Sequence, residues 1–313
     1  MVPITRKPKL EQVDPPRSPR ETLPTMYDLP SEDPEEPGLP DEFHDLQPQL
    51  LSRTLRLRHY ARENWFTGSD LNLYYDVNHP LWHKRPDWFL AVDVPRLYDG
   101  HDLRRSYVVW QEGKNPYVVV EFLSPGTEVE DLGRFGGGAA SLPSAETDPA
   151  VARPATNGVE PSTRPPAKLE VYEQYLRIPH YLVYSRYTKQ LRYFKLEGGQ
   201  YVEQSLNSAH PLVWLADLDI GLGIWQGEFE AIPGSWLRWC DAAGQWLLTD
   251  TEESEQQADQ ERLAREQERL AKEQAQAQLL QAARNLITNG METDQVIQLL
   301  NLSEAQVSEL GRP

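Results

Sequence analysis

Short apolar runs, each closed by Pro, Gly, Asn or Asp, occupy the middle of the chain. LNLYYDV, DWFLAVDV, SYVVW and YVVVEFL follow one another between Leu71 and Leu123. Their β-branched and aromatic content predicts strands. YVVVEFL is apolar almost throughout, the pattern of a central strand covered on both faces. Upstream, QLLSRTLRLRHYARENW sets leucines at 50, 51, 55 and 57 against arginines at 53, 56, 58 and 62. This predicts a helix from Pro48, with the proline in its first turn and one buried side. The arginines suit either a phosphate backbone or a solvated face, and the second is the simpler reading. Downstream, KLEVYEQYLRIPH places Leu169, Tyr172, Tyr175 and Leu176 at helical spacing before Pro179. YLVYSRYTKQLRYFKLEGGQYVEQ then predicts three strands joined by tight turns, the last at Gly-Gly. LVWLADLDIGLGIWQGEFEAI and WLRWCDAAGQWLL predict short strands and loops that close the core.

Three segments lack this patterning. Residues 1–40 are rich in Pro, Glu and Asp and predict a disordered arm. Residues 136–167 hold almost no large apolar side chain and interrupt the core of 41–250 as a flexible insertion or a lid, with composition favouring the insertion. Residues 251–313 open with an Ala-, Glu-, Gln-, Arg- and Leu-rich stretch that predicts a long helix, then a short helical hairpin. Leu263 and Leu270 stand one heptad apart among Ala and Gln, leaving a weak coiled coil and a solvated helix as equal alternatives.

Composition narrows the functional classes. The formal charge of -17 opposes broad, salt-driven attraction to nucleic acid or anionic membrane. Cys240, the single cysteine, rules out an intrachain disulfide and fits a reducing cytosol. No apolar run approaches the roughly 20 residues of a membrane helix, and the first residues lack the apolar stretch of a secretory signal. A cytoplasmic protein is expected.

The candidate chemistry rests on two acids. Asp87 opens DWFLAVDV after a proline, and Glu121 lies near the end of YVVVEFL. Neighbouring strands can hold two such carboxylates rigidly, and magnesium favours carboxylates, a carbonyl and water. Phosphodiester hydrolysis needs that kind of centre together with a group that positions a water. Spacing alone leaves plainer roles open, a turn aspartate and a solvated strand end. No competing chemistry emerges. His79 and His83 flank Trp82 between prolines, an arrangement unsuited to a helical zinc site, and neither a nucleophile elbow nor a phosphate-loop motif is present.

The order PDWFLAVDVP, YVVVEFLSPGT, KLEVYEQYLRIPHYLVYS resembles the Uma-two family of restriction-endonuclease-like proteins, of the cyanobacterial type, over about residues 45–250. The resemblance implies an α/β fold of the PD-(D/E)XK superfamily: a mixed central sheet flanked by helices, with a C-terminal helical extension. It implies that Asp87, Glu121 and the Phe122 carbonyl bind magnesium, with manganese as a substitute. Where a lysine would ordinarily stand on the strand, this chain has Leu123, and Lys168 at the start of the next helix matches the family's replacement. Tyr172 falls on the same helix face and reads mainly as core packing. Glu128, Glu130 and Asp131 read as a solvated loop that crowds a phosphate, with Asp131 also a candidate to orient Lys168. Glu63, in the helix before the first strand, reads as solvated rather than as a further ligand. The implied activity is magnesium-dependent endonuclease cleavage of DNA, with homodimerisation through the C-terminal helix as a further expectation. The alternative is a catalytically inactive member acting as an interaction or regulatory module through its helical tail.

Overall fold

The computed structural model describes residues 41–124, 127–136 and 165–310. The predicted arm of 1–40 and nearly all of the predicted insertion of 136–167 lie outside the described residues.

Helix α1 spans Glu42–Thr54 and begins six residues before Pro48. Asp41 supplies the reason, because its carboxylate accepts the His44 N–H at 3.1 Å and caps the first turn. Pro48 sits inside the helix, and Leu55 is already extended. The predicted basic helix face therefore does not form: Arg56 and Arg58 follow the helix, and Arg62 and Glu63 lie in a separate 3-10 turn, Arg62–Asn64. Glu63 is exposed there.

The strands that follow are β1 (Trp65–Gly68), β2 (Leu73–Tyr74), β3 (His83–Lys84), β4 (Trp88–Val92), β5 (Tyr107–Val108) and β6 (Val118–Phe122). Only fragments of LNLYYDV and SYVVW are strands, and β2 pairs with both β3 and β5 in a small side sheet of order β3-β2-β5. SYVVW is cut short because Val109–Glu112 coils into a helical turn, α2, closed by Gly113 at φ 69°. After β6 come α3 (Glu128–Leu132) and α4 (Lys168–Glu170), which widens into a π-helical turn at Val171–Tyr175. Next are β7 (His180–Ser185), β8 (Gln190–Glu197) and β9 (Gln200–Gln204).

The central sheet has six strands in the order β1-β4-β6-β7-β8-β9. All neighbours are antiparallel except β6 and β7, so the sheet is mixed. Alternation sends successive side chains to opposite faces. On one face Phe89, Val119, Tyr181 and Val183 pack against Leu169, Val171 and Tyr172 of α4. On the other, Trp88, Val120, Phe122 and Tyr184 meet Leu50 and Leu51 of α1 and the aromatic side chains of a second sheet. That sheet, β10-β11-β12, comprises β10 (Leu212–Leu215), β11 (Ile220–Phe229) and β12 (Ile232–Cys240). β11 and β12 form a hairpin of long strands where short ones were expected. The protein is thus a mixed α/β fold, with a central sheet covered by helices on one side and by a helix and a sheet on the other.

Residues 248–313 form a separate unit. Helix α5 spans Asp250–Thr288, started by a capping box between Thr249 and Glu252. Leu263 is 59% and Leu270 44% exposed. Helices α6 (Thr293–Leu300) and α7 (Glu304–Leu310) share a small core with the end of α5 through Ala283, Val296 and Leu302. Among the described residues no helix is long and apolar enough to cross a membrane.

Candidate active site

The β4/β6 register pairs Trp88 with Val120 and Phe89 with Val119. One step further it sets Asp87 opposite Glu121, at the same end of adjacent antiparallel strands. The hydrogen bonds fix this. The Asp87 N–H donates to Glu121 Oε2 at 3.3 Å, and Asp87 Oδ2 accepts the Phe122 N–H at 2.5 Å. Glu121 points to the same face as Val119, beneath α4 and fully buried.

Residues four apart on a helix share a side, which brings Lys168 and Tyr172 over Glu121 together. Lys168 Nζ donates to Glu121 Oε2 at 3.0 Å, and the Tyr172 hydroxyl donates to Oε1 at 2.6 Å. Tyr172 therefore combines core packing with a hydrogen bond to the central acid. Leu123 also falls on the Glu121 face by strand alternation, and it packs into the apolar cluster there. A side chain at 123 and one at 168 thus approach the same space, from the strand and from the helix above it.

The acids after the turn form a helical turn, with Glu128 and Glu130 exposed as expected and Asp131 buried against expectation. They lie on α3, where Asp131 is 1% exposed with Oδ1 at 3.3 Å from Lys168 Nζ. That oxygen is buried and has no well-formed hydrogen bond among the described residues. Glu130 pairs with Lys84 at 2.6 Å, so its charge is offset.

His44 is the residue that sequence reasoning missed. Its Nε2 lies 3.0 Å from the Phe122 carbonyl, and its Nδ1 lies 2.8 Å from Asp41 Oδ1. Both partners are acceptors, so both ring nitrogens carry protons and the ring is an imidazolium. Burial opposes that charge, but Asp87 and Asp41 outweigh it and raise the His44 pKa. The available signal was the spacing Asp-x-x-His at a helix start, which also lets an Asp cap meet the histidine ring. His79, by contrast, stacks on Trp82 with its Nδ1 2.7 Å from Asp76, a local turn contact.

His44, Asp87, Phe122, Asp131 and Lys168 line a cleft of about 270 Å³, which His83, Lys84 and Arg85 also line, while Glu121 and Tyr172 are fully buried. Three carboxylates, Asp87, Glu121 and Asp131, face one ammonium. Burial pushes Glu121 up to about 7, against the pull of Lys168, and the nearby Asp87 charge adds to the rise. Burial likewise raises Asp131 to about 6 and shifts Asp87 upward. For Lys168, burial is outweighed by Glu121, Asp131 and Asp87, which keep it charged. The donors here are hard carboxylate oxygens, and of the three acids only Asp131 has a buried oxygen without a hydrogen bond among the described residues. Among the described residues no three His, Cys, Asp or Glu side chains group as metal ligands. The donor set suits a cation that keeps much of its water and takes a few protein oxygens, the habit of magnesium. The Phe122 carbonyl has a second lone pair beyond the one His44 uses.

No curated protein matches the chain. A family model does match, over residues 17–225 and so more than half of the chain: Uma2, described as "Putative restriction endonuclease". By fold and by that match, this protein belongs to the Uma2 family, a restriction-endonuclease-like group.

Proposed function

We propose that the protein is a magnesium-dependent endonuclease that hydrolyses DNA phosphodiester bonds, with manganese able to replace magnesium. The observation that carries this reading is the meeting of Asp87, Glu121 and Lys168 at one end of β4 and β6. Asp87, Glu121 and the Phe122 carbonyl would hold the cation, which supplies Lewis acidity toward the phosphate and lowers the pKa of a bound water. Lys168, fixed by Glu121 and Asp131, presents positive charge where the pentavalent phosphate gathers negative charge. Tyr172 holds Glu121 in one rotamer, so the carboxylate loses little freedom when it acts. Water attacks phosphorus in line and gives up a proton as its oxygen bonds to phosphorus, the bond to the leaving oxygen breaks, and that oxygen takes up a proton, so that one water is consumed.

One observation favours a second reading, an inactive interaction module. Both Glu121 oxygens already accept hydrogen bonds, from Lys168, Tyr172 and the Asp87 N–H, so the network is closed without a cation. Incubating plasmid and single-stranded DNA with magnesium or manganese separates the two. Cleavage by wild type that disappears in Asp87→Ala and Glu121→Gln supports the enzyme. Equal cleavage by wild type and Asp87→Ala rejects the role of Asp87, and no cleavage by a folded wild type favours the module.

A further inference from the structure

The strand directions place a second feature at the same sheet end as Asp87 and Glu121. β7 runs parallel to β6, with Phe122 beside Tyr184, and it reverses into β8 immediately beyond Ser185. The residues of the reversal, Arg186-Tyr187-Thr188-Lys189, are all exposed, and Tyr187 keeps 58% of its surface in solvent. Lys189 has no ion pair or hydrogen bond among the described residues, and its backbone adopts φ 54°. Arg186 lies over the rings of both Phe43 and Tyr187, at 5.5 and 4.8 Å. Beside the turn is a groove of about 400 Å³, lined by Phe43, Arg186, Lys189, Gln226 and Ser235, with Glu42 also in its wall. That volume lies within the usual range for small-molecule sites, about 300–1,000 Å³. A continuous set of contacts joins the groove to the cleft: Arg186 pairs with Asp41 at 2.5 Å, Asp41 holds His44, and His44 holds the Phe122 carbonyl.

We propose that the β7–β8 turn and this groove form a subsite for the DNA strand flanking the phosphate that is cut. Arg186 and Lys189 meet backbone phosphates, and Tyr187 offers a face on which a base stacks. Two cations with an exposed aromatic ring between them have the chemistry of single-strand platforms, where phosphate contact is electrostatic and stacking tolerates any base. A net-negative protein can bind a polyanion this way because the attraction is local: salt screens charges beyond about 8 Å at physiological ionic strength. The inference rests on the nuclease reading and names where its substrate runs.

The test is fluorescence anisotropy of labelled single-stranded and duplex oligonucleotides on the full-length chain, with calcium in place of magnesium. Lys189→Glu weakens binding about fivefold or more, and Lys189→Ala lowers the slope of log affinity against log salt by about one. Tyr187→Ala weakens binding to the single strand about fivefold or more. Lys195→Glu, at the far end of β8, is the control and leaves affinity within twofold, about the scatter of a surface change. Calorimetry with manganese, giving the same cation affinity in Lys189→Glu as in wild type, checks that the cleft is intact. Wild-type binding that Lys189→Glu and Tyr187→Ala leave unchanged overturns the subsite while the nuclease reading stands. Failure of wild type to bind either oligonucleotide overturns both.

Discussion

Lys168 donates to Glu121 across 47 residues of sequence, from the first turn of a helix to the end of a buried strand. The contact does for Glu121 what a lysine at position 123 would do from the same strand. Strand alternation aims 121 and 123 at one face, and α4 covers that face, so an ammonium can reach the acid from either element. Leu123 instead adds to the apolar packing under α4.

Removing that charge has two separable consequences. Lys168→Met leaves Glu121 and Asp131 buried without their cation, so the protein loses about 3 kcal/mol at pH 8, in the range for breaking a buried pair. Cleavage falls about a hundredfold or more if Lys168 also offsets charge on the phosphate. The double variant Lys168→Met/Glu121→Gln recovers much of the stability and none of the activity. Urea denaturation and plasmid cleavage on the three variants measure this. A double variant as unstable as Lys168→Met alone would falsify the pairing as the source of the loss.

The pH dependence follows from the raised carboxyls. Glu121 sits near 7 in the folded chain against an ordinary 4.5, and Asp131 near 6 against 3.8. A folded-state pKa above the unfolded one means that the native protein holds more protons in between. The stability from these groups is full below the unfolded pKa values and is lost as pH rises through 6 and 7. His180, lowered by burial, acts in the opposite sense, so the comparison of variants is the decisive one. Without added metal, Glu121→Gln should remove on the order of 2 kcal/mol of the difference in unfolding free energy between pH 5 and pH 8. Manganese should raise the wild-type urea midpoint more at pH 8 than at pH 5, because a divalent cation favours the ionised carboxylates. A midpoint shift equal at both pH values rules out binding through Glu121.

Much of this arrangement was legible in the residues. Asp87 and Glu121 stand out as single acids bounding apolar strands, but spacing alone left plainer roles open, and it was the family resemblance that joined them to Lys168. Other parts were hidden by distance or by competing local signals. His44 meets Phe122 over 78 residues, a relationship no local pattern carries. Pro48 pointed to a helix start, but the Asp41 cap begins the helix earlier and so delivers His44 to the cleft. The acids Glu128, Glu130 and Asp131 look alike in sequence, yet the α3 backbone turns only Asp131 inward. SYVVW has strand composition throughout, and Gly113 closes its second half into a helical turn.

Tyr172 offers a gentler perturbation of the same acid. Tyr172→Phe keeps the ring, its packing on Tyr181 and the helix, and removes only the hydroxyl that donates to Glu121 Oε1 at 2.6 Å. A charge-assisted bond to a buried carboxylate is worth about 1.5–3 kcal/mol, so a loss of about 1.5 kcal/mol is expected near neutral pH. The loss should shrink toward pH 5, as Glu121 takes up a proton. Activity should fall less than in Lys168→Met, since the hydroxyl orients the acid and carries no charge to the phosphate. Chemical denaturation at the two pH values, with cleavage rates alongside, tests both statements. A stability loss that is the same at pH 5 and pH 8 means that the hydroxyl acts through packing alone.

The acidic balance of the chain is unevenly placed, which bears on whether the helical tail serves the proposed nuclease activity. Residues 251–313 hold twelve Asp or Glu against six Lys or Arg, so a large share of the formal charge of -17 lies there. Contacts within the chain also divide it near Leu247. We therefore expect residues 41–250 to fold as the catalytic domain. A chain ending at Asp250 should unfold in one cooperative transition with a midpoint close to that of the full chain. It should cleave DNA at a saturating rate within about twofold of the full chain and bind DNA at least as tightly at low salt, because fewer acidic groups repel phosphate. That gain should vanish at high salt, where such repulsion is screened. If cleavage is lost while the truncated chain remains folded, the helices of 251–313 are part of the working nuclease. If full and truncated chains are equally inactive and the tail alone captures a partner, the module reading takes precedence.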